Sequence, residues 1–139
     1  MNNSQKLYLA AKSCLGKDMC VDPTIPPEVS CAVSVNAVYE LAFGGPLGGG
    51  ASTAAMYQVL KTDPRFTPVT SPAAGDIVIS PTGTSTKGSL HGHVGIVGMY
   101  GILSNNSMTG HFTEFYTLQS WEQYYVEKLG FPMLFFRVV

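Results

Sequence analysis

The chain of 139 residues is 45% hydrophobic and only 12% charged, and 8 basic against 9 acidic residues give a formal net charge of −1. A chain of this length usually forms one domain, so we expect a single domain over residues 1–139. No run of basic residues indicates nucleic acid as a partner. No apolar run approaches the roughly 18 residues of a membrane span, and the polar segment Met1–Lys6 predicts no signal peptide.

Three cysteines are present, an odd number that leaves at least one free or paired between chains. Cys14 and Cys20 are close enough in sequence to form a disulfide. Two ordinary thiols are the simpler interpretation unless the protein works in an oxidising compartment. In the disulfide case Cys31 remains as the unpaired thiol.

The first half of the chain has helical patterns separated by breakers. Apolar residues at helical spacing predict helices over Ser4–Ser13 and Cys31–Phe43, and a third over Ala54–Lys61 with Ser52 or Thr53 as its cap. Prolines make Lys17–Ser30 an extended loop, and the glycine run Gly44–Gly50 fits neither helix nor strand. Because no Gly-Lys-Ser/Thr follows, that run is not a phosphate-binding loop.

From Arg65 onward the pattern becomes strand-like. A helix capped by Ser120 is predicted over Ser120–Leu129, and strands are predicted over Phe66–Val69 at an edge, Asp76–Ser80, His93–Met99, Gly101–Ser107 and Leu134–Val139, with Met108–Tyr116 continuing the sheet. Helices therefore precede a mostly antiparallel sheet. This order predicts an α+β fold with N-terminal helices packed on the sheet.

Cys31 and His93 are the candidate catalytic pair. Cys31 stands where the proline-rich loop turns into a helix, so the helix N-terminus and a nearby imidazole would lower the pKa of its thiol. His93 opens a short apolar strand, Val94–Val97, whose rigid backbone would hold its ring at a cleft. A thiol next to an imidazole is the arrangement of a cysteine hydrolase, in which the free backbone N–H of Cys31 would help to bind the oxyanion.

A third residue that orients the histidine is expected on the next strand, which contains Ser104-Asn105-Asn106-Ser107. The side-chain oxygen of Asn105 can accept a hydrogen bond from the second ring N–H of His93 and fix its tautomer. Asn106 is the fallback if the strand register shifts by one residue, and it is otherwise a candidate for binding substrate.

His91 lies two residues before His93, so both rings would lie on one face of a strand. Such a pair can bind zinc, but no cluster of cysteines or carboxylates accompanies it. We therefore interpret His91 as a substrate-binding residue at the cleft edge, and we expect no metal and no cofactor.

Four short blocks occur in order over about residues 30–107: Cys31-Ala-Val-Ser-Val-Asn36, Gly75-Asp-Ile-Val-Ile79, Gly92-His-Val-Gly-Ile-Val97 and Gly101-Ile-Leu-Ser-Asn-Asn106. Together they resemble the CHAP amidohydrolases and peptidases, part of the NlpC/P60-like, papain-related group. The resemblance implies a papain-like α+β fold and cleavage of a peptide or amide bond in bacterial peptidoglycan by Cys31, with His93 as base. Many members have a glutamate where this chain has Asn105, and either residue can orient a histidine.

The N-terminal run Ala11–Asp18, with the proline-rich loop after it, is similar to small cell-wall hydrolases of phages and prophages. This likeness implies a lysin that stays in the host cytoplasm until it reaches the cell wall, or an enzyme carried in the virion. Peptidoglycan would be its main partner, and other virion or lysis proteins are further candidates.

Two other functions are compatible with the same residues. The first is a non-catalytic virion structural or adaptor protein on a papain-like scaffold, which the low charge and many glycines fit equally well. The second is a metal-dependent amidase that uses His91 and His93, which full activity in EDTA would exclude.

Overall fold

The structure, a computed structural model, describes residues 1–20, 22, 24–26 and 30–139. Its α-helices are α1 (Asn3–Ser13), α2 (Ser30–Phe43), α3 (Thr53–Thr62) and α4 (Leu118–Trp121), the last of which continues as a π-helix (Glu122–Lys128). The predicted proline-rich loop lies partly outside the described residues. Of those described within it, 17–20, 22 and 24–26 form neither helix nor strand, whereas Ser30 already begins α2.

The described strands form one six-stranded sheet. They are β1 (Phe66–Val69), β2 (Ile77–Ser80), β3 (His93–Val97), β4 (Ile102–Asn105), β5 (Phe112–Tyr116) and β6 (Leu134–Val138). Their order is β1-β6-β2-β3-β4-β5, and the neighbouring strands pair antiparallel. The predicted α+β fold, with helices on an antiparallel sheet, is confirmed. The sequence did not predict that the last strand, β6, lies between β1 and β2.

The helix ends follow from their capping residues. The Asn2 side chain accepts a hydrogen bond from the N–H of Gln5, and the Gln5 side chain accepts one from the N–H of Asn2, so a capping box starts α1. Ser52 caps α3 through the N–H of Ala55, as one of the two predicted alternatives. Buried Leu7 on α1 belongs with α2 and α3 to the core beneath the sheet.

The two faces of the sheet pack against different helices. Alternate strand residues such as Val94, Ile96 and Leu103 join α1, α2 and α3 in the larger core. Their neighbours Val97 and Ile102 lie in a second core with Trp121 of α4. Because side chains alternate along a strand, this division fixes which face every residue of β3 and β4 occupies.

The Gly-Asp pair before β2 has a structural role. Asp76 is fully buried and receives two hydrogen bonds from the Arg137 guanidinium, at 2.8 and 2.9 Å, and one from the N–H of Ala73 at 2.7 Å. Gly75 lies so close to α1 that a Cβ would come within 2.0 Å of the Ser4 carbonyl oxygen. The motif therefore joins β2 to β6 and to α1, away from the candidate catalytic pair.

The last helix differs from the prediction. Its N-cap is Thr117, three residues before Ser120, the predicted cap. Ser120 is instead the third helical residue and completes a capping box with Thr117. The following residues form a π-helix, a wider turn that is often found at functional sites. Within the described part of the chain, no helix is long and apolar enough to cross a membrane.

Candidate active site

A cleft of about 230 Å³ opens where the start of α2 meets the beginning of β3 and the end of β4. Its lining includes Cys31, His93, Ser104 and Asn105, and the aromatic residues Phe115, Tyr116, Tyr124 and Tyr125. The structure therefore brings together in one cavity the thiol, the imidazole and the asparagine that the sequence predicted. It also adds a serine and an aromatic wall.

Cys31 lies in the first turn of α2 and is only 3% exposed. The backbone N–H groups of Val94, Ala32 and Cys31 itself act on this sulfur by lowering the pKa of the thiol. Val94 directly follows His93, so this interaction places the sulfur beside the beginning of β3. Cys14, Cys20 and Cys31 are all free thiols, and the disulfide between the first two is not formed.

His93 is the first residue of β3 and is 8% exposed. Its Nε2 lies 3.0 Å from the Oγ of Ser104 on β4. The two residues share the sheet face that carries Val97 and Ile102, which is why their side chains meet. With Nε2 held by Ser104, Nδ1 is the ring nitrogen left for a partner such as Cys31.

Asn105 occupies the opposite face of β4. Its Nδ2 donates to the Oγ of Ser30 at 2.5 Å, just before Cys31 on α2. Its Oδ1 is buried and has no hydrogen-bond partner among the described residues. The observed partner of His93 is thus Ser104, the residue before the one that the sequence favoured. Asn106 also lines the cleft, where its Oδ1 accepts the N–H of Met108 in a turn.

Three aromatic rings surround His93, and we call them the aromatic box. Tyr125 stacks on the imidazole with 5.5 Å between ring centroids and 9° between planes. Trp121 lies at 5.1 Å and 32°, and Tyr116 at 6.0 Å and 63°. From the sequence, Trp121 and Tyr125 were predicted only to share one side of a helix, because no local signal indicates which strand that side packs against.

Burial controls the charge state of the pair. It raises the pKa of the Cys31 thiol to about 11, although the backbone N–H groups of Val94, Ala32 and Cys31 lower that pKa in part. It lowers the pKa of His93 to about 4. Both shifts oppose the expected thiolate–imidazolium pair, because the cleft removes the two groups from water and so favours their uncharged forms.

This burial predicts an acid-sensitive fold. The unfolded chain protonates His93 below its ordinary pKa of 6.5, whereas the folded chain does so only below about 4. Between these pH values the unfolded state binds more protons, so the free energy of unfolding falls as the pH falls. We expect the wild type to lose about 2 kcal/mol more than His93→Gln between pH 7 and pH 5, measured by urea unfolding. Equal losses in both proteins would contradict the buried neutral imidazole.

His91 is exposed at the rim and contributes to a second cleft of about 220 Å³. That cleft also includes Cys31, Thr53 and Thr82, so the two cavities meet at the thiol. Between the histidines, Gly92 packs against β2, where a Cβ would come within 1.9 Å of the Ser80 carbonyl oxygen. The described residues contain no group of three His, Cys, Asp or Glu side chains that could hold a metal ion.

The comparisons with known proteins extend only to the fold. No family model matches the chain, and no curated protein matches it. A solved structure that is similar is the crystal structure of the type VI native effector–immunity complex Tae3–Tai3 from Ralstonia pickettii. The match has a TM-score of 0.60 and 18% sequence identity and covers 98% of both chains. At this identity the likeness shows a shared α+β fold and not a shared activity.

Proposed function

We propose that this protein is a cysteine hydrolase that cleaves a peptide or amide bond of bacterial peptidoglycan. The observation that carries the proposal is that Cys31 and His93 line one cleft, in which the imidazole contacts Ser104. The substrate class comes from the resemblance to papain-related wall hydrolases, and a fold shared with a chain of an effector–immunity complex is compatible with it.

The first chemical step follows from the neutral resting pair. As the Cys31 sulfur attacks the carbonyl carbon, its proton passes to Nδ1 of His93, and the carbonyl oxygen becomes an oxyanion. The backbone N–H of Cys31, in the first turn of α2, would donate to that oxygen. In the tautomer whose Nε2 carries the proton and donates it to Ser104, Nδ1 is the base.

The second step returns the proton. The imidazolium of His93 protonates the leaving amine as the carbon–nitrogen bond breaks, which leaves a thioester on Cys31. Water, deprotonated by the same imidazole, then hydrolyses the thioester and restores the thiol. His91, Asn106 and the two cavities on either side of Cys31 would hold the parts of the substrate that flank the cleaved bond.

Purified bacterial sacculi provide the test. The protein and its Cys31→Ala variant are incubated with sacculi, and the soluble fragments are identified by mass spectrometry. We expect fragments with one new amine and one new carboxylate from the wild type alone, and their masses would identify the bond that is cut. Release of the same fragments by the alanine variant, or of none by the wild type, would contradict the proposal.

A non-catalytic binding protein is the second candidate. The raised thiol pKa fits a structural cysteine, and the rim of the cleft exposes Met108 at 93% and Phe115 at 66%, as a surface for a protein partner would. A virion adaptor or the partner of an effector would behave in this way. It would release nothing from sacculi, whereas truncating Met108 and Phe115 would abolish its binding to the partner.

A further inference from the structure

Among the described residues that line the cleft, no charged side chain (Asp, Glu, Lys or Arg) accompanies Cys31 and His93. When Cys31 gives up its proton, His93 becomes a buried cation, and burial of an unpaired cation is costly. Ser104, which contacts Nε2, is neutral, so its hydrogen bond orients the imidazole but brings no negative charge.

The aromatic box can stabilise a positive charge on His93, which the hydrogen bond with Ser104 does not. The face of an aromatic ring carries negative electrostatic potential and attracts a cation within about 6 Å of the centroid. Tyr125 and Trp121 lie at 5.5 and 5.1 Å from the imidazole, one nearly parallel to it and the other tilted. Both are buried, and attraction of this kind is strongest where water is excluded.

The two rings are themselves fixed. Trp121 is fully buried, and its indole N–H donates to the Oγ of Ser80 at 2.9 Å, which donates to the Pro132 carbonyl at 2.7 Å. Tyr125 packs on Trp121 with 4.9 Å between centroids, and on Tyr116 with 5.6 Å between centroids. The π-helix begins directly after Trp121 and includes Tyr125, so this unusual turn sets the spacing of the two rings.

We propose that the ring faces of Trp121 and Tyr125 hold His93 in place and stabilise its cationic form, as an acidic or amide side chain does elsewhere. Both are positioning residues, and the inference rests on the proposed function because it concerns the same site. The groups that face His93 are Cys31 from α2, Ser104 from β4, Tyr116 from β5 and Tyr125 from the π-helix, with His91 at the rim. No carboxylate among them could give the same stabilisation.

The chain contains one tryptophan and three histidines, which makes the test specific. Growth on 5-fluoro- and then 5,6,7-trifluorotryptophan changes only Trp121 and weakens the potential at its ring face with little change in size. In the Cys31→Ala background, NMR of the imidazole ¹³Cε1 gives each histidine pKa. We expect the pKa of His93 to fall at each step of fluorination, by about 0.5 to 1 unit in total. The exposed His91 and His111 serve as internal controls and should not move.

A second measurement is made at neutral pH, so it does not depend on the protein staying folded at the acidic pH where His93 titrates. With Cys31 present, alkylation by iodoacetamide at neutral pH also passes the thiol proton to His93. Fluorination should therefore slow labelling of Cys31 about 2- to 10-fold while labelling of the half-buried Cys20 is unchanged. Peptide mapping by mass spectrometry separates the two cysteines.

Tyr125→Phe separates the ring from its hydroxyl. It keeps the ring face, so the pKa of His93 and the alkylation rate should stay near those of the wild type. The inference is overturned if fluorination leaves both measurements unchanged, if it shifts all three histidines together, or if Tyr125→Phe has as large an effect as fluorination. None of these readouts needs hydrolysis, so the failure of the proposed function would be seen separately, on sacculi.

Discussion

Replacing Cys31 with serine is expected to reduce hydrolysis of peptidoglycan by about 1,000-fold or more while the fold stays intact. A serine hydroxyl gives up its proton far less readily than a thiol. The cleft makes this worse, because burial already raises the pKa of the thiol to about 11 and leaves His93 a weak base. Of the two groups, only the thiol, with its polarisable sulfur, can attack the carbonyl carbon before it has fully lost its proton. The rate of fragment release from sacculi measures the effect.

The controls for this variant are matched in size and position. Cys14→Ser replaces a buried thiol in the same core but outside the cleft, so it should keep the wild-type rate once corrected for any loss of stability. Thermal unfolding should show Cys31→Ser within a few degrees of the wild type. Near-normal hydrolysis by Cys31→Ser would indicate a different nucleophile, whereas equal loss in Cys14→Ser would indicate damage to the core.

In the proposed mechanism, the substrate would complete the site. The neutral thiol and imidazole would react together, with proton transfer and attack in one step and with no stored thiolate. Aromatic side chains line the cleft, so a bound substrate would exclude water from it and strengthen each contact with the developing charges. The rate should therefore depend on how well the two cavities beside Cys31 are filled.

The sequence predicted the fold well where local signals were strong. Capping residues and helical spacing identified α1, α2 and α3 to within a residue or two, and apolar runs identified β2, β3 and β4. The position of β6 in the middle of the sheet had no local signal, because it depends on Arg137 reaching the buried Asp76. The π-helix was missed because its sequence has ordinary helical spacing.

The sequence predicted that the residue contacting His93 would come from the strand that is β4. The observed contact, Ser104, lies on that strand but on its other face. Cys31 and His93 line one cleft because a helix start and a strand start meet there. The alternation of side chains along β4 then decides the partner of His93: Ile102 and Ser104 share its face, while Leu103 and Asn105 face α2. Pairing β3 and β4 from Ile96 with Leu103 would have revealed this. The aromatic box could not be predicted, since its three residues lie near one another in the chain but far from His93, which they meet only through tertiary packing.

The two assignments for the residue that orients His93 make opposite predictions. Ser104→Ala removes the hydroxyl 3.0 Å from Nε2, so the imidazole can turn or change tautomer. We expect kcat to fall about 10- to 100-fold with KM little changed, an effect smaller than that of losing an ionic partner. Ser104→Thr keeps the hydroxyl and should restore much of kcat. Ser107→Ala, on an exposed serine of the same cleft, is the matched control and should be neutral.

Asn105→Ala should act differently if the observed contacts hold during catalysis. It removes the hydrogen bond to Ser30 beside the start of α2 and a buried oxygen that faces the cleft, so stability or KM should change more than kcat. If Asn105 instead orients His93, its alanine variant should lose about 10- to 1,000-fold in kcat and Asn105→Glu should recover much of it, because a carboxylate stabilises an imidazolium. A dead Asn105→Ala beside a healthy Ser104→Ala would mean that His93 turns toward α2 when substrate binds.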